Sequence, residues 1–261
     1  MKRHLLTLVG LLLAMLVQAQ DVRLDYCRNT IAGNGEGAVF SKTGSKKNMN
    51  CAIYLPADRL KSYVGCQLSA VMGGLPYVDD ANMPQALTGW IRVDSLGGEP
   101  VAVSESSAAV RGWNTLRLTT PYTITGEEQG IYVGFFFYQE KALKCISLAG
   151  PKDGNGCFIG TDGKIKYNGA TLDGSVAVRA VLEGNVPTRD LALSDVERGS
   201  RAYRLGEDIM VVGNVENHAA TAATNPVIKA TVNGVPACTY NVETTVRQDD
   251  AIPFKLNVPT S

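Results

Sequence analysis

The chain is a succession of short, strand-like runs separated by glycine-rich turns, and this pattern restricts its fold more than any other feature. Each run is apolar throughout or alternates apolar with polar residues, which predicts β-strands. The runs are residues 50–55, 67–72, 89–94, 113–119, 130–138, 144–149, 175–183, 191–193, 208–215, 226–232, 237–242 and 251–258. Turn formers separate the earlier runs, at Gly73-Gly74, Gly97-Gly98, Gly154-Asn155-Gly156, Asp162-Gly163, Asn168-Gly169 and Asp173-Gly174. Only residues 56–63, with Pro56 at the start, predict a helix. The fold class is therefore predicted to be all-β.

Two strand patterns predict how individual strands are covered. In the run 175–183, Val178 and Ala180 alternate with Arg179, which predicts one buried face and one solvated face. The run 130–138 is apolar at successive positions, which predicts a central strand covered on both faces.

A short polar segment with a proline, residues 185–190, divides the strands into two blocks. Such segments are typical of domain boundaries. We therefore expect a jelly-roll β-sandwich over residues 20–185 and a small Ig-like β-sandwich over residues 186–261.

The first nineteen residues predict export. Basic Lys2 and Arg3 precede an apolar run over residues 5–17, and small residues end the segment at Ala19. This order is typical of a cleavable signal peptide, and the run is short for a membrane span. We expect a secreted or cell-surface protein whose mature chain has no membrane span. Because Gln20 rather than cysteine follows the predicted cut, we expect no lipid anchor at this point.

The charge balance argues against nucleic acid as a partner. The chain has 25 basic and 25 acidic residues, and loss of Lys2 and Arg3 leaves a formal charge of −2. The one basic cluster, Lys42 with Lys46 and Lys47, lies in a polar loop and is explained by solvation.

Six cysteines, an even number, permit disulfides in an exported chain. They allow fifteen pairings, and the sequence does not choose among them. Since no C-x-x-C spacing occurs, a structural metal on cysteine is not expected. The cysteines are Cys27, Cys51, Cys66, Cys145, Cys157 and Cys238.

The second block resembles the bacterial adhesion-related Ig-like domain often called CARDB. The likeness rests on the segment DLALSDV from Asp190, on Val215-Glu216-Asn217 and on Val232-Asn233-Gly234. His218-Ala219 stands where that family usually has a small residue and glycine.

The first block resembles jelly-roll modules of secreted proteins from Bacteroidetes-like bacteria, which occur beside streptopain-type peptidases and in gingipain-type adhesin regions. The motifs that carry the likeness are AIYLPA from Ala52, YVGCQLS from Tyr63, GWNTL from Gly112, PYTI from Pro121 and IYVGF from Ile131. The resemblance implies a non-catalytic module that binds or spaces.

The residues provide little for catalysis. His4 leaves with the predicted signal, so the mature chain retains His218, whose nearest candidate nucleophile is Cys238. An exposed loop histidine is the favoured interpretation. The carboxylate doublets are interpreted as solvated turns rather than a glycosidase pair. They are Asp79-Asp80, Glu127-Glu128 and Asp249-Asp250.

Calcium binding is a more specific hypothesis for the acidic loops than catalysis, because carboxylates at alternate positions can coordinate that ion. The candidate fragments are Asp153 with Asn155, Asp162 with Gly163, and Asp79-Asp80 with Asn82. Since these pairs also favour hairpin turns, turns are preferred over an ion.

Exposed aromatic rings would favour a glycan ligand. Trp90 and Trp113 each follow a glycine at the start of a strand, where the ring is expected at the edge of the core. Tyr77, in the loop from Gly73 to Pro84, is the better exposed candidate, although ordinary packing is the favoured interpretation of all three.

The sequence therefore predicts a non-catalytic, cofactor-free exported protein for adhesion or ligand binding at the bacterial surface. Its expected partner is an extracellular protein or glycan. The alternative is an accessory or N-terminal fragment of a larger secreted enzyme, with a peptidase favoured. Further modules beyond Ser261 would support the alternative.

Overall fold

The computed structural model shows an all-β protein built from antiparallel strands. It describes residues 22–27, 31, 37–41, 46–199, 204, 206–219, 221–248 and 250–259. The predicted signal peptide, residues 1–19, and Lys42 lie outside these residues. Within the described part of the chain, no helix is long and apolar enough to cross a membrane.

The strands up to residue 183 match the predicted runs closely and add several short strands. They are β1 (Val22–Asp25), β2 (Ala38–Val39), β3 (Lys47–Pro56), β4 (Gln67–Leu75), β5 (Ala86–Val93), β6 (Ala102–Val103), β7 (Ser107–Ala108), β8 (Gly112–Thr123), β9 (Gly130–Gln139), β10 (Ile146–Gly150), β11 (Phe158–Thr161), β12 (Lys166–Tyr167), β13 (Ser175–Val176) and β14 (Val178–Glu183).

The helical prediction is confirmed. Pro56 precedes α1 (Ala57–Leu60), and a 3-10 turn continues over Lys61–Tyr63. A second 3-10 turn covers Asp80–Asn82.

Two sheets pack face to face as a β-sandwich. One has the strand order β1-β14-β4-β8, and the other has the order β12-β11-β3-β9-β5-β6 with β7 also paired to β5. Apolar side chains of both sheets, such as Val71 and Ile53, belong to one buried cluster. A smaller sheet has the order β13-β10-β2. The jelly-roll description of this part stays a prediction.

The Gly73-Gly74 pair lies inside β4, so the turn predicted there is wrong. A Cβ atom on Gly73 would lie 2.8 Å from Cδ1 of Phe135, and one on Gly74 would lie 2.6 Å from Cβ of Ala177. These glycines allow neighbouring elements to approach β4 closely, which is a packing requirement that a sequence does not distinguish from a turn.

Strand β9 is central, as predicted, because β3 and β5 pair with it on either side. Its core face is buried at Phe135 and Phe137. On its other face Tyr138 is 52% exposed, so the expectation of complete cover on both faces is wrong.

The solvated face predicted for β14 is also wrong. Arg179 is only 2% exposed, and its Nε lies 2.7 Å from Oδ2 of Asp25, its cross-strand partner in β1. Its guanidinium carbon lies 4.2 Å from the ring centroid of Trp113. The charge is tolerated in the interior because a carboxylate and an aromatic face replace its water.

The remaining strands surround a second, smaller apolar cluster that includes Val215, Ile228, Phe254 and Leu256. These strands are β15 (Leu191–Arg198), β16 (Ile209–Asn217), β17 (Ala223–Thr224), β18 (Val227–Val232), β19 (Val235–Asn241), β20 (Thr245–Val246) and β21 (Ala251–Val258). They form three sheets with the orders β15-β16-β21, β17-β20 and β18-β19.

The alternation predicted for the last strand is confirmed, since Phe254 and Leu256 are buried and Lys255 is exposed. The boundary at residues 185–190 and the Ig-like description of the second part stay predictions.

Replacing Arg179 by methionine is expected to lower the free energy of unfolding by about 3–5 kcal/mol, because the Asp25 carboxylate is then left buried without its partner. Arg117→Met is the matched control, since Arg117 is an exposed strand arginine whose Nη1 lies 3.5 Å from Oε1 of Glu183. Its loss is expected to cost under about 1 kcal/mol. Urea unfolding at neutral pH measures both changes. Equal losses would contradict a structural role for the buried pair.

Candidate functional site

The outer face of the sheet containing β3 and β9 carries a row of aromatic side chains. Successive side chains of a strand point to opposite faces, so Tyr54 lies on the face opposite the buried Ile53. The register places Tyr132 opposite Tyr54, and Tyr167 opposite Phe158. We call Tyr54, Tyr132, Phe158 and Tyr167 the aromatic row.

The rings of the aromatic row contact one another in the order Tyr54, Tyr132, Phe158 and Tyr167, so the ring of Tyr132 on β9 meets that of Phe158 on β11 although β3 lies between these strands. The ring centroids lie 4.6 Å apart between Tyr54 and Tyr132, 5.4 Å between Tyr132 and Phe158, and 5.6 Å between Phe158 and Tyr167. Tyr167 is 37% exposed, and the other three rings are half-buried. The row thus offers a continuous, partly solvated apolar surface.

Glycines in β9 create space for large rings on this face. A Cβ atom on Gly130 would overlap the ring of Tyr54, and one on Gly134 would lie 2.6 Å from Cζ2 of Trp90. Each ring can therefore lie close against the strand beside it. These glycines thus contribute to the positions of the aromatic side chains on this face.

Trp90 lies beside the aromatic row and carries an arginine on its ring. The tryptophan is fully buried yet lies outside the core cluster. The guanidinium carbon of Arg92 lies 4.4 Å from its ring centroid, and Nη1 of Arg92 donates to the Leu96 carbonyl at 2.7 Å. Burial lowers the pKa of Arg92, while the nearby charges of Asp162 and Glu99 raise it.

Amides and a carboxylate provide the polar part of the face. Asp162 accepts hydrogen bonds from Nδ2 of Asn48 at 3.0 Å and from Nδ2 of Asn50 at 2.8 Å. Three buried atoms on this face have no hydrogen-bond partner among the described residues: Oδ1 of Asn50, Nε1 of Trp90 and Nε of Arg92. Because buried polar atoms are nearly always paired, these atoms are candidates for bonds to water or ligand.

A cavity of about 350 Å³ opens farther along the same face. Thr88, Phe136 and Tyr138 line it from the sheet, and Met83 and Leu143 line it from the neighbouring loops. Its volume lies within the range of small-ligand pockets.

The side chains of this face are suited to binding a cyclic ligand. Aromatic rings bury the apolar face of a cyclic ligand, while fixed amides, a carboxylate and a guanidinium hydrogen-bond to its hydroxyl groups. A ligand with C–H faces and hydroxyl edges satisfies both requirements at once.

The aromatic row was not predicted from the sequence, which offered Tyr77 as the better exposed ring. Tyr77 is 51% exposed, as expected, but it follows β4 and places its hydroxyl against Gly112. Trp90 is buried, and Trp113 packs on Arg179. The available signal was the alternation within β3 and β9, which the apolar character of β9 obscured.

The calcium fragments act as turn and loop contacts. Oδ1 of Asp153 accepts from the Asn155 amide at 2.7 Å, and Oδ1 of Asp79 accepts from the Asn82 amide at 3.0 Å. Asp162 begins the β11–β12 hairpin turn, in which Gly163 has φ of +67°, so the turn interpretation is confirmed there.

No group of three or more His, Cys, Asp or Glu side chains in the described residues is arranged to hold a metal ion. Asp80, the second acid of its doublet, instead forms an ion pair with Arg111.

Glu128 is not a solvated turn residue, which corrects the prediction for its doublet. Its side chain is 6% exposed. Its oxygens accept from the amides of Thr125 and Gly126 at 2.8 Å each, and from the Tyr122 hydroxyl at 2.7 Å. Burial raises the pKa of Glu128, but these hydrogen bonds outweigh it and bring the value down to about 2. Glu128 thus fixes the β8–β9 connection.

The other acidic doublet also acts locally. Oδ2 of Asp250 accepts from the Arg247 amide at 2.8 Å, while Asp249 lies outside the described residues.

His218 and Cys238, the candidate Cys–His pair, contact different residues rather than each other. Nε2 of His218 lies 3.4 Å from Oε2 of Glu216, whereas Sγ of Cys238 contacts the Asn257 carbonyl at 3.4 Å. Glu216 also accepts from the Ser194 hydroxyl. His218 is half-buried rather than fully exposed.

All six cysteines are free thiols in the structure. Cys51, Cys145 and Cys157 are buried near one another in the core. Burial raises the pKa of Cys145 to about 12 and that of Cys157 to about 11. These thiols are therefore protonated at neutral pH and are poor nucleophiles.

No protein-family model matches the chain, and no curated protein matches it significantly. The function proposed below is therefore based on the geometry of the site.

Glu128 is expected to make the fold sensitive to acid. Since its pKa in the folded protein lies below the unfolded value, its contribution is present above about pH 4.5 and is lost as the pH falls toward about 2. From this difference we expect the contribution to reach about 3 kcal/mol. Urea unfolding at pH 7 and pH 3 should show a smaller loss on acidification for Glu128→Gln than for the unchanged protein. An identical loss in both proteins would show that other carboxyl groups dominate.

Proposed function

We propose that this chain is a non-catalytic exported binding protein that takes a carbohydrate on the aromatic row. The observation that carries the proposal is the line of partly exposed rings beside a polar cluster of amides, carboxylate and guanidinium. Carbohydrates present apolar C–H faces to rings and hydroxyl groups to such polar side chains. An adhesive role at the bacterial surface follows from the predicted signal peptide and from the resemblance of the two blocks to adhesin modules.

The binding mode is supported by the position of the row on the sheet. Strand residues hold side chains more rigidly than loop residues, so less freedom is lost when a ligand binds. The proposed Ig-like part serves as a spacer or docking unit, and the proposed jelly-roll part supplies the binding face.

Tyr167→Ala is expected to weaken binding to glycans captured on a glycan array by about tenfold, because it removes one stacking ring from the row. Tyr77→Ala is the matched control, since Tyr77 is a comparably exposed tyrosine away from the row. Its loss is expected to leave affinity unchanged. Affinities are measured by isothermal titration calorimetry with the captured glycan, after thermal melts confirm that both variants fold.

The two variants distinguish the aromatic row from the loop after β4 as the binding site. A loss caused by Tyr77→Ala alone would place the glycan in the loop after β4 and overturn the row as the binding site. An array on which the unchanged protein captures no glycan would overturn carbohydrate binding itself.

A further inference from the structure

We propose that the aromatic row holds an internal stretch of a neutral, linear glycan that crosses the strands of the sheet. This inference rests on the proposed function and adds to it the length, charge and direction of the ligand.

The extent of the row exceeds one sugar. The four rings lie on four adjacent strands, β9, β3, β11 and β12. From β9 to β12 the ring centroids of Tyr132, Phe158 and Tyr167 follow one another at 5.4 and 5.6 Å, so the row is longer than one six-membered ring. Successive ring centroids are 4.6 to 5.6 Å apart, which is comparable with the width of one six-membered ring. Because the ring planes are inclined to one another by 36°, 85° and 59°, a glycan whose successive sugars meet different rings must turn from one sugar to the next.

The row reaches the edge of its sheet at one end. Tyr167 lies on β12, which is the last strand in the sheet order. A chain bound along the row can continue past this edge, so the site does not require a free chain end. Inside the row, Tyr132 lies opposite Arg92, the arginine stacked on Trp90.

The charges beside the row favour a neutral chain. Arg92 lies near Asp162 and Glu99, whose negative charges act on it. Asp162 is also held on the face by Asn48 and Asn50. A carboxylated sugar at Arg92 would have to approach these carboxylates, whereas neutral hydroxyl groups can bond to arginine, amide and carboxylate alike.

The cavity on the same face has a different shape and lining. It is formed by Thr88, Phe136 and Tyr138 with loop residues, and none of the four rings of the aromatic row lines it. Recognition of a single terminal sugar would use this cavity, whereas recognition of a chain would use the row.

The length of the glycan is the decisive variable. The protein is titrated with neutral oligosaccharides from the monosaccharide to the hexasaccharide, in the cello-, xylo-, manno- and laminari- series. Galacturonate oligomers provide the anionic series. In the series that binds, we expect at least about a tenfold gain in affinity from disaccharide to hexasaccharide, corresponding to one further stacked ring. Galacturonate oligomers are expected to bind more weakly.

Variants at the two ends of the row test whether the bound glycan runs along it. Tyr54→Ala and Tyr167→Ala are each expected to weaken hexasaccharide binding by about tenfold. Tyr54→Phe, which keeps the ring and removes only the hydroxyl, is expected to retain binding. The two alanine variants should lower disaccharide affinity less than hexasaccharide affinity, since a short ligand cannot contact both ends.

Three results would overturn this inference while leaving carbohydrate binding intact. They are equal affinity for monosaccharide and hexasaccharide, tighter binding of galacturonate oligomers, and loss of hexasaccharide binding from only one end of the row. If no oligosaccharide of any series binds and the glycan array also shows no binding, both the proposed function and this inference are overturned.

Discussion

The antiparallel pairing of β3 with β9 is the constraint on which both the core and the aromatic face depend. The two strands pair without a register shift from Lys47 opposite Gln139 to Pro56 opposite Gly130. Because side chains alternate between faces, this register sends Ile53 and Val133 into the core. The same register places Tyr54 and Tyr132 together on the outside. A slip of one residue would exchange the two sets, so burial of the apolar set holds the binding face in place.

Two buried charged side chains connect neighbouring elements of this fold. Arg179 joins β14 to β1 through Asp25, and Glu128 closes the β8–β9 connection through backbone amides. In each case the charge is accepted in the interior because fixed partners replace its water. The candidate site follows the same logic only in part, since Arg92 stacks on Trp90 while its Nε has no partner in the described residues.

Much of the strand architecture could be predicted from the sequence. The major strands, the short helix after Pro56 and the central place of β9 all follow from periodicity and turn residues. The failures have two causes. Gly73-Gly74 suggests a turn, Arg179 suggests a wet face, and Glu128 suggests a solvated loop, yet each has a partner distant in sequence or an unexpected local role. Local patterns report the preference of a residue for water, whereas long-range pairing decides whether water is present.

The sequence by itself determined the fold class, because alternation with a period of two and frequent turn residues leave little besides antiparallel sheets. It also predicts export and a shortage of catalytic groups. Only the tertiary structure decided which aromatic residues form a surface. Tyr54, Tyr132, Phe158 and Tyr167 lie on four separate strands, and their meeting depends on the order and register of those strands. Each pairing is selected by burial of the opposite face, a collective energy that no single segment contains.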